Sequence, residues 1–132
     1  LTVRGHIAGK DGIYAAALLV EMIAVVGKPM SQIYAEITGQ FPPHYMAETD
    51  FAFDPERKPE ILHTLMVERR LPVFSEPVVG TSYADGCKVY FEEGWIIARF
   101  SGTEPLLRIF CELPDRERAE RCCDEFRAFL GL

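Results

Sequence analysis

The chain carries few of the residues that build metal sites, and they are not spaced to do so. Its cysteines, Cys87, Cys111, Cys122 and Cys123, show no C-x-x-C spacing, and its histidines, His6, His44 and His63, are scattered, which excludes the usual zinc arrangements. No apolar run reaches the roughly 18 residues that a membrane-crossing helix needs, so no membrane partner is expected. Basic residues are the minority, 14 Lys and Arg against 20 Asp and Glu, for a net charge of −6. Nucleic-acid affinity comes from clustered Lys and Arg, so a nucleic-acid partner is not expected either. A single small phosphate needs much less, because a few converging arginines suffice. Internal repeats, low-complexity linkers and an initiator Met are also missing, and the opening Leu1-Thr2-Val3 reads as a cut from a longer protein. Free thiols without a signal peptide point to the cytoplasm.

What is present is enough apolar material for a true core: 132 residues, 48% hydrophobic and 26% charged. Residues 11–26 read as a helix with Asp11 as N-cap and Gly27 as the stop. Between Ile13 and Val26 only Tyr14 and Glu21 are not plainly apolar. A helix apolar on all sides must be covered on most of them, so this one demands a neighbour, and self-association through helix 11–26 is expected of the chain alone. Residues 28–40 read as a second helix with Ser31 as N-cap and with Ile33, Tyr34 and Ile37 toward a core. Phe41-Pro42-Pro43 ends it, and residues 44–53 alternate as a strand. Asp54-Pro55 starts a helix that runs to about Arg70, with Ile61, Leu62, Leu65 and Met66 at the helical period and His63 on the surface.

From residue 78 the period changes to two. Strands are predicted over 78–83, 87–91, 95–100 and 106–113, separated by Asp85-Gly86, Glu93-Gly94 and a Ser/Gly/Thr/Pro loop. These connections are too short for crossovers, so the strands form an antiparallel meander. Asp115 opens a last helix over 115–130, with Ala119, Cys122, Cys123, Phe126 and Leu130 as its apolar stripe and Gly131 closing it. The fold class is α+β: an antiparallel sheet of about four to five strands covered on one face by helices, preceded by an orphan helix.

Between two of these strands lies Arg99-Phe100-Ser101-Gly102-Thr103-Glu104-Pro105-Leu106-Leu107-Arg108. Two hydroxyls, a glycine and an arginine at each end suit a phosphate. Arginine presents a planar fork that matches phosphate oxygens, and a glycine backbone can turn its N–H groups toward an anion. Taken alone, the residues read equally well as a hairpin loop with two surface arginines.

The whole stretch resembles the phosphate-binding loop R-x-S-G-T-E-P-x-x-R of the α-D-phosphohexomutase superfamily, and every motif position matches. Gly5-His6-Ile7-Ala8-Gly9-Lys10-Asp11-Gly12-Ile13 resembles a segment late in the third domain of these enzymes. Asp85-Gly86 with Lys88, and the Gly94-Trp95 turn, are similar to their fourth. The likeness is nearest to the phosphoglucomutase/phosphomannomutase members. It implies a C-terminal fragment: residues 1–28 as the tail of the third, sugar-binding domain, and 29–132 as the C-terminal phosphate-binding domain with a TATA-box-binding-protein-like fold. It implies Arg99, Ser101, Gly102, Thr103 and Arg108 as phosphate ligands, with Lys10 and His6 as further active-site contacts. No catalytic residue is implied within this chain. The family's phosphoserine and its aspartate-held magnesium ion belong to earlier domains, and this chain has neither a Ser-His-Asn run nor a D-x-D-x-D cluster. The implied reaction moves a phosphoryl group between the C1 and C6 oxygens of a hexose phosphate through a bisphosphate. The partners implied are that sugar phosphate and the missing N-terminal domains.

Two other readings stay open on the residues: a stand-alone sugar-phosphate-binding module without chemistry, and an interaction domain that docks through its apolar first helix. Glu104, beside an anion site, is expected to turn away or to pair with an arginine.

Overall fold

The computed structural model describes residues 4–102 and 104–132. It divides into two compact units, Leu1–Pro42 and Pro43–Leu132. The division falls at Pro42, whereas the sequence placed the boundary at residue 28; the second helix therefore groups with the first unit.

In the first unit, α1 (Gly12–Val26) starts as expected. The Asp11 carboxylate accepts from the Tyr14 amide at 2.9 Å, satisfying one of the free N–H groups of the first turn. Gly27 ends the helix in the left-handed conformation at φ 69°. None of the α1 side chains is buried, and Ile13 and Val25 are 87% and 80% exposed. α2 (Met30–Thr38) is bent 86° from α1. Its N-cap is Pro29 rather than Ser31, without a side-chain hydrogen bond. Proline has no N–H to leave unsatisfied and its φ of −66° suits the entry to a helix, so Ser31 falls inside the first turn. Ile33 is the buried residue of α2, while Tyr34 and Ile37, expected to face a core, are exposed. No single helix among the described residues is long and apolar enough to cross a membrane.

In the second unit, five strands among the described residues form one antiparallel sheet in the order β1-β5-β4-β3-β2. They are β1 (Tyr45–Ala52), β2 (Val78–Ser82), β3 (Cys87–Phe91), β4 (Gly94–Phe100) and β5 (Leu106–Leu113). The last four are the expected meander; β1 returns to pair with β5. Gly86 takes φ 87° in the β2–β3 connection, a conformation that only glycine adopts freely. Gly94 begins β4 so close to β5 that a Cβ there would drive into the Glu112 carbonyl.

One face of the sheet is the core. Val89, Ile96, Ala98, Leu107, Ile109, Cys111 and Leu113 point into it at the period of two. α4 (Arg116–Leu130) covers them with the expected stripe, Ala119, Cys122, Cys123, Phe126 and Leu130, all buried. Each fully buried large apolar side chain contributes about 1.5–3 kcal/mol. Phe74 meets Phe91 and Phe126 edge-on, with centroids 5.2 and 5.8 Å apart. All four cysteines are free and buried, and burial pushes the Cys87 thiol up to about 11.

The helix predicted over 54–70 is broken into three pieces. A 3₁₀ turn (Pro55–Arg57), capped by Asp54 on the Glu56 amide at 3.0 Å, leads into α3 (Lys58–Leu62) and a π-helical turn (His63–Val67). Pro59 lacks an N–H, so α3 begins anew at Lys58 with the proline in its first turn. The wider turn then carries Glu68 N–H to the His63 carbonyl, and Arg69 at φ 55° closes the segment. Ile61 and Leu65 reach the core while Leu62 is exposed. His63 lies at the surface, 3.5 Å from the Glu68 carboxylate.

Candidate phosphate-binding site

The β4–β5 hairpin sets the geometry. Its register places Arg99 directly opposite Arg108, and Asp50 of β1 is opposite Arg108 on the other side. All three lie on the face away from the core, because Ala98, Phe100, Leu107 and Ile109 occupy the other face. Like charges facing each other across a ladder repel. Here each arginine meets a carboxylate: Arg99 Nε is 3.3 Å from Asp85, and Arg108 Nε is 3.7 Å from Asp50. The second distance is too long for a hydrogen bond. Arg108 Nε is buried and has no hydrogen-bond partner among the described residues.

The loop between the strands is held by its own backbone. Ser101 N–H donates to the Leu106 carbonyl at 2.9 Å, and Leu106 N–H donates to the Glu104 carbonyl at 2.8 Å. Glu104 N–H donates to Ser101 Oγ at 3.3 Å, and the Phe53 amide donates to the Pro105 carbonyl at 3.2 Å, tying the loop to the end of β1. The Glu104 side chain is exposed and makes no ion pair among the described residues. Gly102 is open: nothing lies within 4 Å of where a Cβ would stand. Thr103 lies outside the described residues.

Among the described residues, the predicted ligands Ser101 and Gly102 line one depression and Arg99 another. Ser101 lies past the end of β4 and, with Gly102, lines a depression of about 240 Å³ together with Pro55, Lys58, Glu104 and Pro105. Arg99 lines a neighbouring one of about 230 Å³ with Asp85, Gly86, Leu62, Met66 and Phe100. Arg108 lines neither.

Sequence reasoning missed Lys58. It is half-buried at the start of α3, with Nζ 5.6 Å from the centroid of the Phe100 ring. The Asp54-Pro55 helix start was legible, but only the tertiary fold lays that turn against a loop that follows it by more than forty residues in the chain. His6 and Lys10 belong to the first unit. There they line a shallow depression of about 520 Å³ with Arg4, Gly5 and Gly9. His6 Nε2 lies 2.9 Å from Asp11 Oδ2, and its ring stacks on Tyr14 at 4.0 Å. The Tyr14 amide, with the His6 ring, holds the Asp11 carboxyl below its ordinary value. Among the described residues no group of three His, Cys, Asp or Glu side chains is placed to hold a metal ion.

Comparison with known proteins follows the same division. A family model described as phosphoglucomutase/phosphomannomutase, C-terminal domain, matches residues 55–129. A second, for alpha/beta/alpha domain III of the same family, matches residues 1–41. A probable phosphoglucosamine mutase of Methanopyrus kandleri is 36% identical over 116 residues, 88% of this chain and 24% of the relative. A phosphoglucomutase/phosphomannomutase of Thermococcus kodakarensis is 31% identical over 113 residues, 86% of this chain and 23% of the relative. The chain thus spans about a quarter of the length of the curated relatives it matches. A phosphoglucomutase/phosphomannomutase family protein from Burkholderia thailandensis shares the fold, with a TM-score of 0.61 over 91% of this chain and 23% of that one, at 24% identity.

Proposed function

The chain belongs to the phosphoglucomutase/phosphomannomutase family, and from that premise we propose that it is the phosphate-anchoring C-terminal part of a cytoplasmic phosphohexomutase. The whole enzyme interconverts hexose 1-phosphate and hexose 6-phosphate through a bisphosphate. This part grips the phosphate that is not reacting. The observation that carries the reading is the Arg99–Arg108 cross-strand pair closed by the open Ser101–Gly102 turn. Two guanidiniums stand opposite each other at a wet sheet end, each beside one carboxylate, and a phosphate shared between them adds the bidentate contact that suits arginine. Arg108 Nε is buried beside Asp50 without a hydrogen bond, so the guanidinium is not fully satisfied within the chain.

Anchoring a remote phosphate supplies orientation. Orientation can account for on the order of 7–11 kcal/mol of a barrier at best, without contact at the breaking bond. The described residues do not fit a magnesium site, so no step is assigned to a metal within this chain. The nucleophile and the metal belong to the rest of the enzyme, so this chain alone has no mutase activity. Lys10 and His6 face the sugar when the third domain is complete. The remainder of that domain covers α1. Without it, α1 pairs with its copy in a second chain, since none of its apolar side chains is buried.

Titration of the chain with inorganic phosphate, followed by backbone amide shifts, tests the anchor. The expected result is binding in the millimolar range, about −4 kcal/mol, with Ser101 to Glu104 responding, and a weaker response in Arg108→Ala at an unchanged melting temperature. Silence of those amides while others move rejects the site. A parallel assay with glucose 1-phosphate and magnesium is expected to show no turnover; turnover that tracks the purified chain rejects the division of labour.

A further inference from the structure

We propose that Lys58 is a phosphate ligand of this site. The inference rests on the anchoring reading above and deepens it. The depression that Ser101 and Gly102 line holds two charged residues, Glu104 of the loop and one basic side chain, which is Lys58 and not either motif arginine. Arg99 and Arg108 are each within ion-pair distance of a carboxylate, Asp85 and Asp50. Among the described residues no carboxylate lies within ion-pair distance of Lys58; its neighbour is the Phe100 ring, at 5.6 Å. The ring gives the ammonium no acceptor for its protons.

The positions divide the work. The arginines stand on the open face of the sheet, and Lys58 approaches the loop from the helical side, where Phe100 and Ile61 pack. A phosphate seated on the Ser101–Gly102 backbone is then flanked by cations from both sides of the strand end. The 3₁₀ turn and the restart at Pro59 place Lys58 at the head of α3, against the loop rather than along a continuous helix face. Lysine binds phosphate as a mobile point charge, which suits a site that must release and retake its ligand.

The test uses the whole chain with inorganic phosphate and the variants Lys58→Gln and Lys58→Arg, with Arg99→Ala as a reference for the loop. The expected result for Lys58→Gln is a phosphate dissociation constant raised about fivefold, with the Ser101 and Gly102 amides still responding and a shallower dependence on salt. Lys58→Arg is expected to restore binding to within about twofold of wild type, because it keeps the charge. In wild type, the Lys58 side-chain nitrogen resonance is expected to move along the same isotherm as the Gly102 amide. Wild-type affinity in Lys58→Gln, a still Lys58 resonance, or equal weakening by Gln and Arg overturns the proposal and leaves the anchoring site standing. Failure of the wild-type loop amides to respond to phosphate overturns both.

Discussion

α1 and α4 invite comparison because their local construction is the same. Each has 15 residues, each is opened by an aspartate accepting from the amide three residues on at 2.9 Å, and each is closed by a left-handed glycine. Their fates differ. α4 buries five side chains against the sheet and turns a charged face to water; α1 buries none. Capping therefore decides where a helix begins and ends, and the distribution of polar residues decides what it needs around it. α4 has a polar half and finds its cover within the chain. α1 has nearly no polar face, and the cover it calls for is not among the described residues. Family matching runs the same way: residues 55–129 match a C-terminal domain, and residues 1–41 match domain III.

Truncation breaks the comparison hardest. Phe126→Ala in α4 removes a fully buried ring from the core and is expected to cost about 3–5 kcal/mol. Leu19→Ala in α1, whose side chain is exposed, is expected to change stability by no more than about 0.5 kcal/mol at concentrations where the chain is single. Urea unfolding followed by circular dichroism compares the two. Similar losses would mean that α1 is buried as α4 is. A smaller effect sharpens the role of the sheet beneath α4: Gly94→Ala forces a Cβ against the Glu112 carbonyl and should cost about 1–3 kcal/mol, read from the same curves.

Association is the next measure. Light scattering at rising concentration should show wild type pairing and Leu19→Glu/Met22→Glu remaining single. A strict wild-type monomer, no less soluble than the variant, would show that α1 is already covered within one chain.

The smallest effect is on pH. Arg118 of α4 donates to Glu76 at 2.8 and 2.6 Å and to Glu93 at 2.9 Å, and the Arg118 hydrogen bond holds the nearly buried Glu76 carboxyl below its ordinary value. A carboxyl lowered on folding stabilises the fold above its unfolded pKa, and that support is lost as pH falls through the folded value. Stability should therefore decline below about pH 4.5, and Arg118→Met should flatten that decline. An unchanged acid limb in the variant would show that Glu76 is held by something else. Asp11, lowered mainly by the Tyr14 amide, gives α1 a dependence of the same sign.

Much of the second unit was legible. The strands from residue 78 onward, the α4 stripe and the two short turns follow from alternation, helical period and glycine placement, which act over a few residues. The family resemblance pointed to Arg99 and Arg108, and the hairpin register that sets them opposite each other follows from the length of the loop between them. Other features were misread where two local signals competed. Ser31 looked like a cap, but Pro29 took the position; residues 54–70 carried a helical period, but Pro59 and a π turn divided it.

By itself the sequence determined which segments are helix and strand over most of the chain, which faces are apolar, and which stretch resembles a phosphate-binding loop, because those properties depend on neighbours within one or two turns. Only the tertiary structure decided that β1 returns beside β5 to bring Asp50 to Arg108, that Ser101 leaves the strand for a different depression from Arg99, and that Lys58 stands at the loop. The meetings of Asp50 with Arg108 and of Lys58 with the loop join residues far apart in the chain. They are set by how the sheet closes and how the helical turns pack on it, and no spacing in a single stretch encodes them.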